Sequence, residues 1–231
     1  MAAKIGRRRG MTMIDLGAIV IEAGSHATAA EGACVMEWVS IFAGLPFDAS
    51  PVCTDSVVAA YARALNDVLP DDQRQRLVPF IPRLALTANG GCPPEKRALV
   101  CADVAVRVFA PAALRSAGLE EWAGKLAGLP EITDGTAARD AARVATRAAA
   151  SAAFEARAAR AVTRDAAGAA TRSAASAARA AEVAAEVAAG AAEAARAAAR
   201  SAGAARVAAP ARADEIWEEA IGLLDRLIEL H

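Results

Sequence analysis

Between residues 136 and 209 the chain is built almost entirely from alanine, arginine and a few small polar residues; residues 180–209 read AAEVAAEVAAGAAEAARAAARSAGAARVAA. Alanine has the best intrinsic helix propensity, so this stretch is predicted to be helical before any tertiary contact forms. Polar residues recur every three or four positions and leave a broad alanine face. As one rod the segment would be about 110 Å long, unusual in an ordinary domain. Alanine gives little hydrophobic energy but lets helix backbones approach closely. The expected arrangement is therefore a hairpin or stack of close-packed alanine helices, with Gly168, Gly190 and Gly203 as turn or contact points.

The large side chains lie elsewhere. Trp38, Phe42, Phe47, Tyr61, Phe80, Phe109 and Trp122 all precede residue 130, and only Phe154 and Trp217 follow. Residues 11–130 read as a helical domain punctuated by turn residues. A helix is expected near 12–22, closed by Gly24, although the β-branched GAIVIEAG is also compatible with a strand. Another is expected over about 33–43, ended by Gly44 and Pro46. Thr54 or Asp55 is the expected cap of SVVAAYARALNDVL, with Val57, Val58, Tyr61, Leu65 and Val68 on one face. Pro79 and Pro82 break the segment after Pro70. PPEKRALVCADVAVRVF opens with prolines suited to a first turn and carries the stripe Leu99, Val100, Val104, Val106 and Val108. EEWAGKLAG closes the domain. Residues 212–231 form a last amphipathic helix whose apolar stripe includes Trp217, Leu224, Leu227 and Ile228. That stripe must be buried on the N-terminal domain or on a second chain, and those four residues are the candidate interface. The predicted fold is all-α: a compact helical domain, an alanine-rich helical array and a closing helix, preceded by a flexible basic tail at 1–10.

Charge excludes some functions. The chain has a net charge of −1, with 23 Arg and 3 Lys among its 26 basic residues, so no global field draws it to nucleic acid or anionic membrane. Arg outnumbers acid 11 to 6 in the alanine segment, but Glu182, Glu186 and Glu193 interrupt the basic face. A nucleic-acid role for these arginines is therefore the lesser reading, as it is for RRRG at 7–10. The first thirty residues imitate a signal peptide, but Asp15 and Glu22 flank or interrupt the apolar run. No run reaches the roughly 20 apolar residues of a membrane span. The expected location is cytoplasmic. Met11 and Met13 are alternative starts.

The candidate chemistry gathers in SHATAAEGACVMEWVSIFAGLPF, residues 25–47. Cys34 stands in the first turn of a helix, where the positive helix end lowers a thiol pKa, so Cys34 and His26 are the candidate catalytic pair. His26 precedes the thiol by eight residues, whereas cysteine peptidases place the base after it; the other histidine, His231, is at the chain end. Glu37, Trp38 and Cys53 are the candidate pocket residues. A metal site from His26, Cys34, Glu37 and Cys53 lacks the tight C-x-x-C or H-x-x-x-H spacing of structural zinc, and no metal or cofactor is expected. No glycine-rich phosphate loop or paired-carboxylate motif is present. The four cysteines, Cys34, Cys53, Cys92 and Cys101, suggest no disulfide framework.

Across residues 24–87 the pattern G-x-C-x-M-E-x-V-x-x-x-A-G-x-P, a P-x-C at Pro51 and Cys53, the N-D-x-L-P-D-D run from Asn66 and P-x-I-P-R-L from Pro79 stand in order. In these motifs the chain resembles a group of uncharacterised helical proteins of high-GC actinobacteria and their phages, which also carry an alanine-rich tail and a final amphipathic helix. Ser50 stands where that group often has a second histidine. The resemblance brings no settled activity; what it implies is a phage- or mobile-element-linked regulator or adaptor. The function expected first is a non-catalytic helical binding or scaffold protein, acting as a homo-oligomer or on a protein partner. The rival is a small-molecule sensor or Cys-dependent enzyme with a pocket around Cys34.

Overall fold

The computed structural model describes residues 6–8, 11–89, 91–158, 161–185 and 190–230. Apart from a short antiparallel ribbon, Gly6–Arg8 with Met11–Met13, every regular element among them is helical. The rest of the expected 1–10 tail lies outside the described residues. The helices are α1 (Val35–Phe42), α2 (Ser56–Val68), α3 (Asp71–Arg74), α4 (Ile81–Leu84), α5 (Pro94–Val104), α6 (Ala110–Ser116), α7 (Glu120–Ala127), α8 (Gly135–Ala158), α9 (Ala161–Ala184), α10 (Ala191–Ala208) and α11 (Ala213–Glu229).

The alanine segment folds back on itself as α8, α9 and α10. Gly135 at the start of α8 lies against Ala185 just past the end of α9, so these two run antiparallel. Gly190, before α10, lies against Val183 near the end of α9, so α9 and α10 also run antiparallel. Of the three glycines expected at turns, only Gly190 borders a helix end. Gly168 and Gly203 sit inside α9 and α10; Gly203 is a contact point, where an added Cβ would come within 3.1 Å of the Val68 Cβ.

The array does not stand apart from the N-terminal domain. Helix α10 packs against α9, α2, α5, α6 and α11, and most of its alanines and Ser201 are buried. Only a narrow stripe with Glu193, Arg196, Arg200 and Val207 meets solvent; a helix whose apolar face is this broad belongs in a core, and here the core helix is thin. Between α9 and α10, Ser173 and Ser201 each donate to the other's backbone carbonyl at 3.0 Å. A side chain as short as serine reaches the opposite main chain only because the helices are so close. Each buried methyl contributes only about 0.8 kcal/mol, so the array coheres through the number of such contacts and through the larger side chains of α2, α5 and α11 behind it.

Those larger residues occupy the expected places with some exceptions. Val57, Val58, Tyr61 and Leu65 of α2 are buried, as are Leu77, Ile81, Leu84, Phe109 and Leu114. On α5 the buried face is Ala98, Cys101, Ala102 and Val104, while Leu99 and Val100 are only half-buried. The expected stripe shifts because small residues must face α9 and α10. A wide π turn, Ala105–Phe109, separates α5 from α6 and precedes Pro111, whose ring would clash with a regular preceding turn. Asp55, not Thr54, caps α2, accepting from the amides of Val57 and Val58; the Thr54 hydroxyl donates instead to Leu84 O.

The stripe of α11 is spent inside the molecule. Trp217, Leu224, Leu227 and Ile228 are buried against this chain's own core, and the Tyr61 hydroxyl donates to Ala220 O at 2.8 Å. These four residues are thus covered by this chain's own core. The end of α11 is held by Arg97, which is fully buried. Its guanidinium donates to the carbonyls of Leu227 (3.2 Å), Leu230 (2.9 Å) and Cys92 (2.8 Å) and to Asp55 Oδ2 at 3.3 Å. It satisfies orphan carbonyls and sits at the negative end of the helix dipole.

Two outcomes follow from this packing. Ala198→Leu, in the buried centre of α10, lowers unfolding free energy by about 1–3 kcal/mol or more through overpacking. Ala150→Leu, on the exposed side of α8, leaves it within about 0.5 kcal/mol; urea unfolding compares the two. Arg97→Met strands Asp55 and the α11 carbonyls, at a cost of about 3–5 kcal/mol in the same assay.

Candidate functional site

Helix α1 opens at Cys34 and closes where expected. The Gly44 amide donates to Ile41 O and the Leu45 amide to Ser40 O, the paired bonds of a Schellman ending. The segment before it is not the helix expected over 12–22. A 3₁₀ turn spans Leu16–Ala18, and residues 19–24 run on without regular structure. The β-branched Ile19, Val20 and Ile21 favour extended backbone.

Among the described residues no second strand pairs with this run; apart from the Glu22 amide, which donates to Ala33 O at 2.9 Å, side chains take the place of one. Gln75 accepts from the Ile21 amide (3.0 Å) and donates to its carbonyl (2.8 Å). Asn66 donates to Glu22 O at 2.9 Å while accepting from the Val35 amide at 3.1 Å. The Gly24 amide donates to Asp67 Oδ1, and the Trp38 indole donates to Val20 O. The N-D pair of the motif run thus anchors the stretch that leads into His26.

Glu37 lies at the centre. Its side chain is buried and reaches back one turn to the Cys34 amide at 2.7 Å, the carboxylate half of a capping box. It also accepts from the His26 amide at 2.9 Å, and its Oε2 pairs with His26 Nδ1 at 2.9 Å. On the other side of the ring, His26 Nε2 faces Glu22 Oε2 at 3.7 Å. Gly32, at φ +126°, closes the cluster: a Cβ there would come within 2.5 Å of Glu22 Oε2 and 3.0 Å of His26 Nε2. Glu37 therefore joins the His26 ring and the Cys34 amide in one cluster, with Glu22 and Gly32 beside the ring.

The electrostatics run against nucleophilic catalysis. Burial pushes the Cys34 thiol up to about 11, and the neighbouring Glu37 carboxylate adds to the rise. The lowering expected from the helix end is outweighed because the sulfur is shielded from water and faces a negative charge. For Glu37, burial raises the pKa, but the two amides and the imidazole together hold it below the ordinary carboxylate value. The oxygens that could take a substrate proton are already accepting bonds from the protein.

No comparison with family models, with curated proteins or with solved structures gives a match to this chain.

The remaining expected pocket residues do not converge on the thiol. Trp38 is half-buried and turned to Val20 O. Cys53 lies in the loop before α2, its sulfur 4.0 Å from the Thr54 hydroxyl. His231 lies outside the described residues. Among the described residues, no group of three or more His, Cys, Asp or Glu side chains is arranged to hold a metal ion. The main surface cavities are lined by other residues. One, of about 620 Å³, lies between α8 and α9; a second, of about 470 Å³, lies between α9 and α10 beside Val68; a third, of about 410 Å³, lies beside Arg107 and α11. Sequence reasoning missed the first, although its signal was present: Arg139, Arg143 and Arg147 recur at every fourth position.

Because the Glu37 pKa is depressed on folding, its contribution is fully present above the unfolded carboxylate value and is lost as pH falls through the lower, folded one. Glu37→Gln lowers stability at neutral pH by about 1–3 kcal/mol. The gap between variant and parent closes as the solution is acidified below the usual glutamate range. Chemical unfolding at a series of pH values measures it.

Proposed function

We propose that this chain is a non-catalytic helical binding protein that engages a protein partner through the outer surface of its alanine-rich helices. One observation carries the reading: the Cys34 thiol and the Glu37 carboxylate are buried, and Glu37 is already bonded to the His26 ring and the Cys34 amide, while the open grooves lie between helices and are lined chiefly by arginine and small residues. Internal use of the α11 stripe argues against self-association through that helix. No described helix is long and apolar enough to cross a membrane. A role as a phage- or mobile-element-linked regulator or adaptor is the finer proposal and rests on the resemblance of residues 24–87 to that group.

The accessibility of the four thiols tests the reading. Cys34, Cys92 and Cys101 are buried and Cys53 is half-buried. With a chromogenic disulfide reagent under native conditions, Cys53 reacts first, and Cys34 reacts only as fast as the structure opens. A Cys34 that outpaces Cys53, at a rate already saturated below neutral pH, restores the enzyme and defeats the proposal.

A further inference from the structure

Helix α8 is the outermost of the array. It rests chiefly on α9 through Ala138, Ala141, Ala142, Ala145, Ala148, Ala149 and Ala152, and among the described residues no helix covers its far side as others enclose α10. The groove of about 620 Å³ runs along this pair. Its floor includes Ala142, Ala178 and Ala185, and the α8 rim carries Arg139, Arg143 and Arg147. Four residues of helix advance about 6 Å, so the guanidinium groups stand one turn apart in a row.

The row is only partly neutralised. Arg143 pairs with Asp140, Arg139 donates to the Thr136 hydroxyl at 3.3 Å and lies near enough to the Asp134 carboxylate to help hold its pKa down, and Arg147 has no ion-pair partner among the described residues. On the α9 rim, Glu182 is itself paired with Arg179 at 3.4 Å. The groove keeps an excess of positive charge above an apolar floor.

Inside this protein, alanine floors are covered by further helices. We propose that the α8–α9 groove docks an acidic, alanine-faced helix of a partner protein, with carboxylates at every fourth position gripped in turn by Arg139, Arg143 and Arg147. The inference rests on the binding-protein reading above and gives it a site and a partner chemistry. The arginine fork suits paired carboxylate oxygens, and the repeat of such a helix matches the repeat of the row. Single-stranded nucleic acid fits less well: no aromatic side chain lines the groove for bases to stack on, and Glu182 would face its phosphates. A second copy's α8 would bring a like-charged row.

The test titrates the full chain into labelled alanine-based helical peptides of about 20 residues, with glutamate, glutamine or lysine at every fourth position, and into a labelled oligothymidine strand. The expected result is binding of the glutamate peptide alone, weakening as salt is raised. Arg139→Gln, Arg143→Gln and Arg147→Gln each weaken it about tenfold. Reversal of all three arginines to glutamate moves the preference to the lysine peptide, with helix content checked by circular dichroism; the single variants stand if the triple one fails to fold. Equal binding of glutamate and glutamine peptides, or capture of oligothymidine in preference to both, overturns the proposal. So does self-association of the chain alone that the arginine substitutions abolish. Glutamate-peptide binding that survives these substitutions but is lost with Arg172→Gln and Arg200→Gln also overturns the groove, yet leaves the binding-protein reading standing; a fast-reacting Cys34 removes that reading itself.

Discussion

The approach distance between helices governs this structure. Helix α10 is surrounded by five others, and a helix so enclosed can carry only what fits between backbones. Its buried residues are alanine and one serine. The Ser173–Ser201 exchange across α9 and α10 and the fit of Gly203 against Val68 express the same constraint. Larger side chains on α10 would push α2, α5 and α9 apart together, because dense interiors do not yield locally without strain. The alanine-rich composition is therefore a packing solution and not an inert spacer.

Around that thin centre, order comes from polar side chains serving main-chain groups. Arg97 closes the end of α11. Arg74, also buried, closes the end of α2 by donating to Asn66 O and Leu69 O. Gln75, Asn66, Asp67 and Trp38 hold the extended run at 19–24, and Glu37 holds the turn at His26 and Cys34. Buried main-chain groups left without partners are costly, so irregular segments this close to the core need such support. The motif residues Glu37, Asn66 and Asp67 thereby acquire a structural explanation that requires no substrate.

The sequence made the helical class legible because alanine propensity and apolar periodicity pointed the same way over most of the chain. It located α1, α2, α5 and α11 through their caps, prolines and glycines. It misplaced the segment before α1, since the bonds that keep residues 19–24 extended come from Gln75 and Asn66, far along the chain, and leave no periodic trace. It also allowed α11 to be a seam between chains, because an amphipathic stripe records only that it must be covered and not by what. The meeting of Cys34, His26 and Glu37 was visible as short-range spacing. The direction of the thiol pKa was not, because burial depends on everything packed around it.

The position of α10 in the chain has a bearing on biogenesis. The helix at the middle of the fold, Ala191–Ala208, leaves the ribosome after every element that encloses it except α11. Until then the faces of α2, α5 and α6 that meet α10 stay uncovered. Vectorial synthesis here delivers the central helix after most of its neighbours, so the packing that joins them depends on contacts distant in sequence.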